Sequence, residues 1–187
     1  MKSVLISIQP KLRELIASGE KTIEVRKTAP KIATPFKCYI YETQGKTEMP
    51  WMDEDGHMIF RGRGMVIGEF VCDAILPMSV KYSDPESRIA LREYPFTCLT
   101  DKQIMDYLGN GKEGYGWHIS DLAIYDKPKS LNRFQKPCIC TEEYEGEEYR
   151  NCLFCDLAGD SDYGIVACNR PITRPPQSWC YVEECLC

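Results

Sequence analysis

No apolar run in this 187-residue chain approaches the ~20 residues that a bilayer-spanning helix needs, which sets aside a membrane-embedded class. The opening Met1-Lys2-Ser3-Val4-Leu5-Ile6 has one charge and too short an apolar stretch for a secretory leader, so the expected location is the cytoplasm, of a bacterium or of a phage-infected cell. No internal repeat is present, which excludes solenoid and propeller architectures. An overall excess of positive charge is also missing. With 23 Lys and Arg against 28 Asp and Glu the net charge is −5, a poor balance for a nucleic-acid binder. That deficit is local, however: residues 1–137 hold 20 basic against 18 acidic side chains, whereas residues 138–187 hold 3 against 10. Cysteine is as lopsided. Cys38, Cys72 and Cys98 sit among apolar neighbours and read as core residues, while the other eight of the 11 follow Pro137. The length suits one domain with a small appendage, divided here as 1–137 and 138–187.

What is present is concentrated between Ser18 and Lys27. Ile23 and Val25 alternate with Thr22, Glu24 and Arg26, the period-2 pattern of a strand with one apolar face. Glu24 and Arg26, two residues apart, point the same way. Upstream, Pro10 opens a helix with Leu12, Leu15 and Ile16 on one face, and Gly19 stands where it must stop. A solvated edge strand bearing a surface ion pair has the same pattern. Further strands are expected over Val4–Ile8, Cys38–Thr43, Met65–Leu76, Tyr115–Ser120 and Leu122–Asp126. A helix is expected over Thr100–Leu108, with Thr100 as its cap and Gly109 ending it. Gln44–Arg63 reads as a long hairpin excursion, and its His57 gives no sign of chemistry. In Met65–Leu76 both faces are apolar, which leaves Glu69 as a carboxylate in a buried row that must find a cation or stay protonated. Gly68 beside it leaves room for a ligand or another backbone.

Gly19-x-Lys21-x-x-Glu24-x-Arg26 resembles the signature of the ASCH domain, a branch of the PUA-like β-barrels. Ile6-Ser7-Ile8-Gln9-Pro10, Ile67-Gly68-Glu69-Phe70-Val71-Cys72-Asp73 and Trp117-His118-Ile119-Ser120-Asp121-Leu122 extend the likeness, in the family's order, over roughly residues 1–137. The resemblance implies an α+β fold: a small PUA-like, mostly antiparallel β-barrel with a few helices, here followed by a cysteine-rich extension. It also implies that Lys21 and Arg26 come near Glu69, and that the partner is RNA or a modified nucleoside. Lys21, Glu24, Arg26, Lys27 and Glu69 would then line a charged cleft with Trp117 and His118 at its mouth, suited to the edge and face of an unstacked base. Lys21, Arg26, Lys27, Lys31 and Lys37 form a basic stretch that could meet a phosphate backbone; a plain solvated face is the alternative.

Some small ASCH proteins are amidohydrolases that remove the acetyl group of N4-acetylcytidine with a lysine, a threonine and a glutamate, and others are ribonucleases. Lys21 matches that lysine, but Glu24 stands in the place of the threonine. The enzymatic alternative therefore has Lys21, Glu24 and Glu69 as catalytic groups, with a carboxylate activating water and Lys21 holding the oxyanion.

The C-terminal segment contains Cys138-x-Cys140, Cys152-x-x-Cys155, Cys168, Cys180 and Cys185-x-Cys187. In a cytosolic protein such clustering points to metal before disulfides. A structural zinc held by Cys152, Cys155, Cys168 and Cys180, with Cys138 as the substitute, would give this core-poor segment its stability. Arg174–Cys180 reads as an extended proline strap that docks across the barrel and ends on an anchoring Trp179. A third reading is a protein-interaction module that uses the zinc tail.

Overall fold

Ser3–Ile8 is a run of six buried residues, the pattern of a strand covered on both faces. It forms the middle of the fold. The computed structural model describes residues 3–44, 51–52, 58–59, 62–79, 95–137, 141–144, 147–150 and 171–184. In chain order the elements are β1 (Ser3–Ile8), α1 (Pro10–Ala17), β2 (Ile23–Arg26), β3 (Phe36–Glu42), β4 (Trp51–Met52), β5 (Met58–Ile59), β6 (Met65–Cys72), β7 (Ile75–Ser79), α2 (Asp101–Leu108), β8 (Glu113–His118), β9 (Ser120–Lys129), β10 (Phe134–Gln135), β11 (Thr141–Tyr144), β12 (Glu147–Arg150) and β13 (Trp179–Glu184). No helix among the described residues is long and apolar enough to cross a membrane.

Two sheets carry the structure. Six strands run in the order β10-β13-β1-β3-β6-β9, antiparallel except for the parallel pair β1–β3, and three run in the order β2-β8-β7. β4–β5 and β11–β12 are separate two-stranded pairs. The expected barrel is thus not closed: among the described residues the two ladders face each other without joining. Between them lies the main core, with Val4, Ile6, Ile8, Cys38, Ile40, Phe70 and Cys72 against Trp117, Ile119 and Ile16 of α1. Each large aliphatic side chain so buried contributes roughly 1.5–3 kcal/mol. A second cluster covers the opposite face of the larger sheet, built from Leu5, Tyr39, Tyr41, Val66, Phe134, Ile172 and Val182. A third joins Val25 and Met78 to Ile104 and Leu108 of α2.

Three expectations change. Met65–Leu76 is not one strand: it ends at Cys72 and resumes at Ile75 in the other sheet. At the corner the Ala74 carbonyl accepts from the His118 backbone N–H at 3.0 Å and from the Cys72 thiol at 3.4 Å, so the break leaves this group satisfied outside its own ladder. An uninterrupted apolar pattern can thus feed two sheets. Cys98 is exposed with φ +53°, whereas Cys38 and Cys72 are buried as expected. Finally, β13 falls beyond residue 137 yet sits inside the large sheet, between β10 and β1.

Candidate functional site

All four residues of β2 are buried, and their alternation serves two different interiors. Val25 packs against α2, and Ile23 and Val25 share that side of the small sheet. Glu24 and Arg26 face the main core, opposite Trp117 and Tyr115 of β8. Lys21 reaches the same cluster after the turn at Gly19, whose φ of +78° suits a residue without a side chain. Its Nζ donates to the carbonyls of Ile23 at 2.7 Å and Thr97 at 2.6 Å, and lies 3.3 Å from Glu24 Oε2. Arg26 Nη2 lies 3.1 Å from Glu24 Oε1 and donates to the Ser7 carbonyl at 2.8 Å. The structure therefore brings Lys21, Glu24, Arg26 and Trp117 together. It covers them rather than opening a cleft: they are 1%, 5%, 5% and 0% exposed.

Three polar atoms of this cluster are buried without a hydrogen-bond partner: Glu24 Oε2, Arg26 Nε and Trp117 Nε1. Glu24 Oε2 keeps its ion-pair contact with Lys21, so the two nitrogens are the truly idle groups. Trp117 is wedged between Phe36 and Trp179, each with its ring centroid 5.8 Å away. The cover comes from the Arg174–Cys180 strap. Pro176 O accepts from Ser7 Oγ at 2.6 Å, Ser178 O accepts from the Ser7 N–H at 3.0 Å, and Arg26 Nη1 reaches Ser178 Oγ at 3.4 Å. Trp179 Nε1 donates to Thr28 Oγ1 at 3.0 Å. The strap docks here, and its Trp179 anchor was legible, but Ser7, Thr97 and Ser178 carry no local signal for contacts made up to 169 positions away.

Glu69 does not join Lys21 and Arg26. It stands opposite Tyr39 on the other face of the large sheet, where Lys37 Nζ is 2.7 Å from its Oε1 and Tyr125 donates to its Oε2. Burial pushes its pKa up, but these two hydrogen bonds and the charges of Lys37 and Lys129 outweigh that and bring it below the ordinary value. The same geometry pushes the Tyr125 pKa well up, through burial first and then the bond to Glu69. Gly68 makes room for a neighbouring strand, since a Cβ there would come within 2.5 Å of the Ala123 carbonyl oxygen. His118 lies on the opposite face of β8 from Trp117, exposed, with Nδ1 2.6 Å from Asp73 Oδ1. That hydrogen bond is the main cause holding the Asp73 pKa down. Lys27 turns the other way, 5.1 Å over the Tyr107 ring of α2. The basic stretch is therefore split: Lys21 and Arg26 share one interior, while Lys27, Lys31 and Lys37 are exposed.

Of the named zinc ligands, Cys138, Cys152, Cys155 and Cys168 lie outside the described residues. Cys180 is half-buried in β13 against the second core cluster, and burial pushes its thiol pKa up to about 11. No group of three or more His, Cys, Asp or Glu suited to a metal occurs among the described residues.

Neither protein-family models nor curated sequences match this chain. Solved structures do. Crystal structures from Zymomonas mobilis resemble it: the ASCH protein, at 18% identity and TM-score 0.55, covers 97% of this chain and 87% of that one. A tyrosine-to-phenylalanine mutant of the ASCH protein, at 18% identity and TM-score 0.56, covers 98% and 91%. The likeness thus runs past residue 137 and takes in β13. On these grounds the chain has the ASCH-domain fold.

Proposed function

We propose that this protein binds RNA or a modified nucleobase at the Lys21–Glu24–Arg26–Trp117 cluster. One observation carries the reading: a single strand pair gathers polar atoms of three side chains that are buried without a hydrogen-bond partner, two of them nitrogens with no ion-pair contact either. Buried polar groups are nearly always paired, so idle ones mark a place where a partner is expected. Glu24 Oε2 can accept, and Arg26 Nε and Trp117 Nε1 can donate, which is the mixture a base edge requires. Entry requires the Pro176–Ser178 strap to move aside. Lys21 weighs against the amidohydrolase alternative, because the Ile23 and Thr97 carbonyls take two of its N–H groups and Glu24 pairs its charge.

Titration of short single-stranded RNA and of free nucleosides, N4-acetylcytidine included, followed by tryptophan fluorescence, tests this. Saturable binding is expected, steeply weaker with salt for the RNA and weakened about tenfold or more by Glu24→Gln. No binding of any of them, or turnover of N4-acetylcytidine abolished by Lys21→Ala, would overturn the reading.

A structural zinc is proposed for the C-terminal segment, held by Cys152, Cys155 and Cys168. Cys180 or, as its substitute, Cys138 completes the set. Elemental analysis of protein purified without added metal should find about one zinc per chain, lost in Cys152→Ser. Metal-free, reduced and folded protein would refute it.

A further inference from the structure

The charges of the buried cluster do not balance. Lys21 and Arg26 bring two positive formal charges and Glu24 one negative, leaving +1 on groups at most 5% exposed. The sequence suggested Glu69 as the second carboxylate, but Glu69 is paired with Lys37 on the far side of the large sheet. Among the described residues Glu24 is the only carboxylate paired with either cation. An interior charge is costly unless something opposes it. The two idle nitrogens, Arg26 Nε and Trp117 Nε1, are both donors. Excess positive charge and excess N–H groups ask for the same thing: an anion with acceptor oxygens.

On the binding-site reading above, we infer that the ligand carries an oxyanion, a phosphate or a carboxylate, which accepts from Arg26 Nε and Trp117 Nε1 and neutralises the cluster. The base edge alone is not the recognised element; the charged group is. Such a site selects a nucleotide over its nucleoside, and an acid-bearing modified base over its uncharged parent.

The test uses the full chain at constant ionic strength, with four probes: inorganic phosphate, acetate, cytidine 5′-monophosphate and cytidine. Calorimetric titration should show the monophosphate binding about tenfold or more tighter than cytidine, as a charge-assisted contact implies. Phosphate or acetate should raise the unfolding temperature saturably beyond matched chloride; whichever is the stronger names the oxyanion. Trp117→Phe keeps an aromatic ring in the core and removes one donor, so it should erase much of the monophosphate preference. Arg26→Gln should erase it fully; if that variant does not fold, the Trp117→Phe comparison decides. Equal binding of monophosphate and cytidine would sink this inference and leave nucleobase recognition standing. Oxyanion stabilisation without any RNA or nucleoside binding would do the reverse. No probe stabilising the protein beyond chloride would overturn the oxyanion.

Discussion

Glu69 shows how a single carboxylate ties the large sheet together. Lys37 from β3 and Tyr125 from β9 both bond to it, and Glu184 of β13 repeats the arrangement with Lys129 Nζ at 2.6 Å and Tyr39 Oη at 3.2 Å. Because the folded pKa of Glu69 lies below its ordinary value, its contribution is fully present above the unfolded pKa of about 4.3 and is lost as pH falls through the folded one. The urea midpoint of the native protein should therefore fall on acidification from about pH 5 to pH 3, and Glu69→Gln should flatten that fall. Superimposable pH profiles would show that Glu69 has no part in acid stability. The position of Glu69 was legible as a polar intruder in an apolar strand. Its partner was not, since strand pairing, with bulges at Ile40/Tyr41 and between Glu69 and Val71, decides which lysine it meets.

Among the elements, α2 is the most completely specified by its own residues. Thr100 Oγ1 accepts from the Gln103 N–H at 3.2 Å, while Gln103 Oε1 accepts from the Thr100 N–H at 2.8 Å, a reciprocal cap that closes the first turn. Thr100→Ala should destabilise the protein by about 1 kcal/mol in equilibrium urea unfolding, with an unchanged denaturant slope. Because Ile104 and Leu108 support Val25, fraying of α2 also loosens the strand that holds Glu24 and Arg26. β2 teaches a different lesson. Its alternation was plain, but the expected contrast between a buried and a wet face was not met, since a second sheet covers the charged side.

At the scale of the molecule, the C-terminal strand completes the large sheet. β13 pairs with β1 from Ser3↔Val182 to Ile6↔Trp179 and continues to β10 through Phe134↔Glu184. Deleting residues 171–187 would leave β1 with an open edge of apolar residues, and insoluble or aggregated protein is expected. Replacing residues 138–170 by a flexible linker of about four residues should instead preserve the sheet, because the Gln135–Pro171 bridge already holds the two ends together. Circular dichroism and size-exclusion chromatography separate these outcomes; a folded product of the first deletion or an unfolded product of the second would contradict the topology.

Local rules made much of this protein readable. The Pro10 and Gly19 limits of α1, the Thr100 cap, the period-2 stretch at 22–26 and the apolar run at 4–8 each depend on neighbours within a few positions, and each lies where those rules put it. The Gly-x-Lys-x-x-Glu-x-Arg spacing likewise carried the fold. The identity of the groups that meet inside it could not be read the same way. Lys21 with Thr97, Arg26 with Ser7 and Ser178, and Trp117 with Trp179 are set by register, by the corner at Asp73–Ala74 and by the return of the last strand. Short-range sterics and hydrophobic period belong to the chain, whereas the charge left unbalanced in the interior belongs to long-range packing, which decides which side chains leave water together.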